Sequence, residues 1–269
     1  VTEFIDQATV DKKPFFLWYA PYLPHAPHKP PLRLLKKYQD KYPLPLAKYY
    51  AMIEWFDETN GQLLDHIEKS GVKDNTLVIY VSDNGWIQDP RKKDRFLARS
   101  KRSPFEAGVR TPIIYSLPTM FKPKMRSEMT SSIDIVPTVL GAAGLTVPEH
   151  LPGLNLFETF KQQAPITRNT LFGESFGHDI VDIDNPEASL LYRWVIEDDW
   201  KLILSYDGAN TNRKHKQSMR GAPRLYSLTQ DPFEMVNLAD KHPEIVERLS
   251  KTLIEWYPLN ERKVLTNKP

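Results

Sequence analysis

Apolar residues follow two different periods along this chain, and the change between them divides it. Phe15-Phe16-Leu17-Trp18-Tyr19-Ala20 is an unbroken apolar run, which predicts a central strand buried on both faces. Tyr49, Met52, Ile53, Phe56, Asn60, Leu63, Leu64 and Ile67 then recur at helical spacing, with Gly71 as a natural stop. Thr76–Val81 is rich in β-branched and aromatic residues and ends on the turn formers Ser82-Asp83-Asn84-Gly85, so it reads as a buried strand with a polar tip. Strand, helix, strand predicts a parallel crossover unit. Shorter elements surround it: a helix end over Val1–Lys13, a short basic helix over Leu32–Tyr42 and a strand at Ile113–Tyr115. A further helix is expected over Met129–Gly144, its proper start near Asp134 and Pro137 in its first turn.

From Thr170 the texture changes. Thr170–Glu174, Tyr192–Ile196, Lys201–Ser205 and Arg224–Ser227 are short strand candidates, separated by turns such as Glu197-Asp198-Asp199 and Tyr206-Asp207-Gly208. Consecutive short strands predict a small antiparallel sheet. Pro243 then opens a helix with Ile245, Val246, Leu249, Leu253, Ile254 and Trp256 on its apolar side and Glu244 and Glu247 in its first turn. The loop-rich stretch Leu145–Pro165 is the natural boundary. The expected architecture is therefore an α/β domain on a mostly parallel sheet (residues 1–165), truncated at its start. A smaller α+β domain with an antiparallel sheet and the last helix follows (166–269). A truncated sheet exposes an edge and apolar faces unless something covers them.

Composition narrows the function. A net charge of +2 over 269 residues gives no argument for a nucleic-acid partner. The absence of cysteine excludes disulfides, thiolate metal sites and a cysteine nucleophile within this chain. No apolar run reaches membrane-spanning length. The chain starts at Val1, with neither methionine nor a signal peptide, so it is expected to be a fragment or processed product of a longer protein.

Three stretches carry candidate chemistry. Proline after proline stiffens Pro21–Pro31, holding His25 and His28 on a rigid loop at a predicted strand exit. Asp83 and Asn84 end the Thr76–Val81 strand, where open α/β sheets place their ligands. A carboxylate beside an amide supplies two hard oxygen donors suited to Ca²⁺ or Mg²⁺, although Asn-Gly is also a common turn. Arg91, Lys92, Lys93, Arg95, Arg99, Lys101 and Arg102 then crowd one basic stretch. Such a run is commonly a solvated loop; beside a metal corner, an anionic substrate is the alternative.

In order and spacing, three segments resemble the type I sulfatases of the alkaline phosphatase superfamily. They are Phe15–Pro31 with its Pro-His-x-Pro, Thr76–Gly85 with Ser-Asp-Asn-Gly, and Lys101–Pro112 with Glu-x-Gly-Val-Arg-x-Pro. Trp200-Lys201-Leu202-Ile203 and Leu225–Leu238 resemble the closing sheet of that family. The resemblance implies that Asp83 and Asn84 ligate a divalent cation, Ca²⁺ in most of the family with Mg²⁺ as the alternative. It implies that His25 meets the bridging oxygen of a sulfate ester and that Lys101 holds a nonbridging oxygen. His28 and His178 are assigned substrate-side roles, and Glu106 and Arg110 structural ones. The expected substrate is a sulfated small molecule or carbohydrate, and the family's usual address is periplasmic or secreted. The departure is large. The family's Cys/Ser-x-Pro-x-Arg motif, source of the formylglycine nucleophile, is absent, as is its early aspartate pair. An N-terminal half of the same protein is therefore the expected partner that completes the site. Two alternatives remain: a phosphatase, phosphodiesterase or phosphonate hydrolase of the superfamily, and a non-catalytic fragment or degenerate relative that binds anionic ligands. Asn84 in place of a histidine favours a harder cation and the sulfatase. The 269-residue chain alone is expected not to hydrolyse sulfate esters; metal-dependent turnover of an aryl sulfate by the purified chain would contradict this.

Overall fold

The computed structural model describes residues 1–178, 180–206 and 221–259. The chain forms two compact units. The first holds Val1–Val81, Trp86–Leu97 and Pro112–Pro123; the second holds Ser82–Gly85, Ala98–Thr111 and the rest from Lys124. The grouping does not follow the boundary expected at 165/166, because two short inserts and residues 124–165 join the C-terminal sheet.

In the first unit, α1 (Thr2–Val10), α2 (Leu32–Leu35) and α3 (Leu44–Lys69) accompany a two-stranded sheet, β1 (Val78–Val81) and β2 (Ile113–Ser116). Gly71 lies just past α3 at φ +72°, a left-handed conformation that only glycine adopts without cost. β1 and β2 pair antiparallel, Val78 opposite Ser116 and Val81 opposite Ile113. The predicted strand Phe15–Ala20 does not form, and with it the parallel crossover. The segment alternates, with Phe15, Leu17 and Tyr19 half-buried while Phe16 and Trp18 stand 72% and 82% exposed. That is the side-chain pattern of a strand without a ladder. An apolar run marks a segment for burial, but a strand also needs neighbours on its edges, and among the described residues none pairs with it.

In the second unit, α4 (Glu106–Val109), α5 (Ile135–Ala142) and α6 (Phe157–Lys161) precede β3 (Thr170–Phe176), β4 (Leu190–Glu197), β5 (Trp200–Ser205), β6 (Arg224–Ser227) and α7 (Pro243–Trp256). The four strands form an antiparallel sheet in sequence order. The turn expected at 206–208 runs beyond the described residues after Tyr206. α5 begins after a 3-10 turn at Ser132–Asp134, with Pro137 in its first turn. Strand alternation sends side chains to two separate cores. Leu190, Val195, Leu202 and Leu204 pack on one face with Leu249 and Leu253 of α7. Leu191, Trp194, Ile196 and Ile203 pack on the other with Phe105 and Tyr226. Gly173 on β3 is required by packing, since a Cβ there would lie 2.0 Å from the Trp194 ring.

A buried ion pair ties the helical segment to this sheet. Asp134 is fully buried and accepts both Arg168 Nη1 (2.7 Å) and Nη2 (2.6 Å). Its carboxylate also takes the backbone N–H of Ser131 (2.9 Å) and of Leu154 (2.8 Å), so four donors satisfy one charge. Asp134→Ala would strand the Arg168 guanidinium and two N–H groups, at a cost of about 3–5 kcal/mol. Urea denaturation followed by near-UV circular dichroism should show that loss; a midpoint within error of the parent chain would refute the assignment.

Candidate active site

Gly85 fixes the corner that follows β1. Its N–H donates to the Gly108 carbonyl at 2.9 Å, and a Cβ on Gly85 would lie 2.0 Å from the Ala107 carbonyl oxygen. Gly108 is pressed in turn onto Ser100 and Ser103, where an added Cβ would meet the Ser100 carbonyl oxygen at 2.3 Å. Two glycines thus let three backbone segments lie against one another. They bring Asp83 and Asn84 together with the Ser100–Ser103 turn that carries Lys101. Lys101 is half-buried between Arg99 and Arg102, whose φ angles of +67° and +64° put two non-glycine residues in the left-handed region. Such strain persists only where the surroundings dictate the backbone.

The corner organises its own oxygens. Asp83 Oδ1 accepts the Asn84 backbone N–H at 2.9 Å, and Asn84 Nδ2 donates to the Gly85 carbonyl at 3.0 Å. The Ser82 hydroxyl donates to the Asn84 carbonyl at 3.1 Å. With one amide N–H held by the Gly85 carbonyl, half-buried Asn84 keeps Oδ1 for a ligand, and the Asp83 carboxylate next to it in sequence is exposed. Two hard oxygens suit Ca²⁺ or Mg²⁺ by type, yet Ca²⁺ takes six to eight ligands. Among the described residues no group of three His, Cys, Asp or Glu side chains converges as a metal site. The corner therefore fits part of a cation's shell.

His25 and His28 belong to the other unit. His25 is exposed, with Nδ1 2.7 Å from the Ala26 carbonyl and its ring 5.1 Å from Tyr22. An Nδ1–H donated to that carbonyl leaves Nε2 to face outward. His28 is only 2% exposed, its ring between Tyr49 (5.3 Å) and Trp86 (5.9 Å). Its backbone N–H donates to Asp94 Oδ1 at 2.8 Å, and the ring Nδ1 lies 3.4 Å from the same oxygen. Burial lowers the imidazole pKa and Asp94 pulls it back up, so the ring is neutral at pH 7. In this structure His28 braces the loop that displays His25. His178 is exposed in the second unit, just after β3, next to Gly177, whose N–H donates to the Ser189 carbonyl at 2.7 Å.

Comparison with known proteins gives the family. Residues 1–145 match the family described as Sulfatase, and residues 97–257 match the family of N-sulphoglucosamine sulphohydrolase C-terminal regions. The chain belongs to the sulfatase family. It is 26% identical to a sulfatase of Formosa agariphila over 95% of its own length and 48% of that protein's. It is 28% identical to an N-acetylgalactosamine-6-O-sulfatase of Bacteroides thetaiotaomicron, over 73% of this chain and 39% of that one. Among solved structures, yidJ of Bacteroides fragilis, a candidate sulfatase, superposes with a TM-score of 0.75 at 23% identity, covering 95% of this chain and 56% of that one. The sulfatase fold is therefore established, and the chain spans about half the length of relatives it matches, or less.

The link from Lys201 to Glu106 and Glu234 in this sulfatase chain escaped the sequence reading. Lys201 is fully buried, with Nζ 2.7 Å from Glu106 Oε1 and 3.0 Å from Glu234 Oε1. Glu234 Oε2 accepts the Glu106 backbone N–H at 2.7 Å, capping α4. Glu106 is structural, as expected, but its close partner is Lys201; Arg110 Nη1 stays 3.9 Å away with a largely exposed side chain. A lone lysine inside the apolar strand Trp200–Ser205 was the available signal. Burial raises the Glu234 pKa above the usual carboxylate range against the pull of Lys201. A carboxyl with a raised folded pKa favours the folded state below its unfolded pKa and loses that contribution as pH rises through the folded value. Lys201→Met removes the shared cation, so it should cost about 3–5 kcal/mol at pH 7 and markedly less near pH 5, where Glu234 can fold protonated. Denaturation midpoints at both pH values check this, and a loss independent of pH would refute it.

Proposed function

We propose that this chain is the C-terminal portion of a sulfatase that hydrolyses sulfate monoesters of carbohydrates. The observation that carries the reading is the Gly85–Gly108 junction, which holds Asp83 and Asn84 with the Lys101 turn in one compact unit. Asp83 and Asn84 would contribute two oxygens to a Ca²⁺ or Mg²⁺ site, and upstream residues the rest. The cation, when bound, supplies positive charge to the sulfate oxygens. Lys101 would hold a nonbridging oxygen, whose charge the ammonium stabilises throughout the displacement. His25, fixed through Nδ1–H, would act in its doubly protonated form, passing the Nε2 proton to the departing alcohol oxygen and ending as the neutral Nδ1–H tautomer. The formylglycine nucleophile would come from the N-terminal half of the same protein, which we take as the partner that also covers Phe16 and Trp18. The relative named for N-acetylgalactosamine-6-O-sulfate supports a sulfated amino sugar as the substrate class.

In the full-length protein, Lys101→Ala should lower kcat/KM for an aryl sulfate by about 10²–10³-fold, the usual loss when one preorganised donor to a developing charge is removed. His25→Ala should hurt an alkyl sulfate far more than a nitrophenyl sulfate, whose leaving group needs no proton. The decisive comparison is turnover of matched sulfate and phosphate esters. A strong preference for phosphate by the unmutated protein would place it instead among the phosphorus-directed hydrolases of the superfamily.

A further inference from the structure

The stretch from Ile87 to Leu97, in the first unit, is a folded hairpin. Leu97 N–H donates to the Ile87 carbonyl and Asp89 N–H to the Arg95 carbonyl, each at 2.8 Å, and Gln88 bridges Phe96. Gln88, 4% exposed, fills the inside of the tip: its Nε2 donates to the carbonyls of Asp89 and Lys92, both at 2.9 Å. The two acids of the tip turn inward. Asp89 Oδ1 takes the Arg91 N–H at 2.8 Å, and Asp94 Oδ1 takes the His28 N–H at 2.8 Å. Arg91, Lys92, Lys93 and Arg95 all stand exposed. The nearest pairings are loose: Arg91 Nε is 3.7 Å from Asp89 and Lys93 Nζ 3.8 Å from Asp94, with side chains 82% and 57% exposed.

A flexible basic run would spread its charges apart. This one is held by a buried amide and two inward carboxylates, so four cations are displayed together on a fixed turn. Their mutual repulsion is relieved when an anion joins them. The Asp94–His28 bond also fastens the tip to the proline loop that displays His25, and both His25 and Lys93 act electrostatically on His28. With His25 assigned to the leaving alcohol, the tip flanks the sugar that departs.

We propose that the Arg91–Arg95 hairpin tip is a subsite for a second sulfate group on a polysulfated oligosaccharide, on the leaving-group side of the scissile ester. The placement on that side rests on the sulfatase reading; the binding itself does not. Size-defined heparin hexasaccharide is titrated into the 269-residue chain over a series of salt concentrations, beside the variant R91A/K92A/K93A/R95A. The variant should bind at least about tenfold more weakly, with a flatter salt dependence. Its circular dichroism should match the parent's, because all four side chains are exposed. Equal affinity and equal salt slope would overturn the subsite. A single-stranded DNA of matched charge that competes as well as heparin would overturn the assignment to sulfated sugar. In the full-length protein, the variant should raise KM for a polysulfated oligosaccharide about tenfold relative to KM for an aryl sulfate. Aryl sulfate hydrolysis with no change in that ratio removes the subsite and leaves the sulfatase reading intact. Tip-dependent heparin binding without any sulfate hydrolysis does the reverse.

Discussion

One buried ammonium organises the segment on which the candidate site is built. Lys201 points from β5 into the face of the sheet that also carries Trp194 and Ile203, and it meets two carboxylates there. Burying three charges is unfavourable unless each is hydrogen-bonded. Here Glu234 spends its second oxygen on the Glu106 N–H, and the Arg99 guanidinium donates to the carbonyls of Phe233 and Glu234 while lying 3.9 Å over the Phe105 ring. α4 is only four residues long and has no intrinsic stability as a helix. It exists because β5, through Lys201, and the Asp231–Glu234 turn, through Glu234, both hold its first residue, Glu106. Gly108 is part of α4, so the Gly85 junction, and through it Asp83 and Asn84, inherits that rigidity.

Buried charges serve as joints elsewhere in the same unit. Asp134 and Arg168 connect the start of α5 to the approach of β3 across 34 positions. Arg193, 1% exposed on β4, reaches the Leu253 and Tyr257 carbonyls at the end of α7 and the Tyr206 hydroxyl. A guanidinium at a helix C-terminus satisfies orphan carbonyls and opposes the helix dipole. Apolar packing brings elements together over a broad face and tolerates sliding. A hydrogen-bonded ion pair loses most of its stabilisation when displaced by an ångström, so it sets position.

The C-terminal sheet was legible because each strand sits in a self-contained antiparallel ladder, where local pattern and local pairing agree. All four strands and the helix from Pro243 appear where periodicity puts them. Phe15–Ala20 failed for the opposite reason: a central strand is defined by partners far away in sequence, and composition reports only the wish for burial. The candidate site residues were named from their motifs, but the residues that brace them were not. Lys201, Glu234 and Asp94 are ordinary residues until a long-range contact, over 95 positions for Lys201 and Glu106, gives them a role. Short motifs show what touches a ligand. Buried charge in an unsuitable local context, such as Lys201 between Trp200 and Leu202, is the sequence's sign of what holds the motif still.

The corner and the histidine loop share a method of construction, although they sit in different units. In both, polar side chains are bonded to their own neighbouring backbone: Asp83 to Asn84 N–H, Asn84 to the Gly85 carbonyl, His25 to the Ala26 carbonyl. These bonds fix which atom is left over for chemistry. One Asn84 N–H is committed to the Gly85 carbonyl and Oδ1 is left for a ligand, and the committed Nδ1 of His25 leaves Nε2. Catalytic groups have to be held within about 0.5 Å of their productive geometry. Short side-chain-to-backbone bonds do this without long rotamer-rich linkers, and a proline-stiffened loop or a glycine junction then carries the group as a rigid body. The consequence is that substitutions at the bracing positions should alter donor orientation before they alter fold, which makes Asp94 and Gly85 as informative about the chemistry as the residues they support.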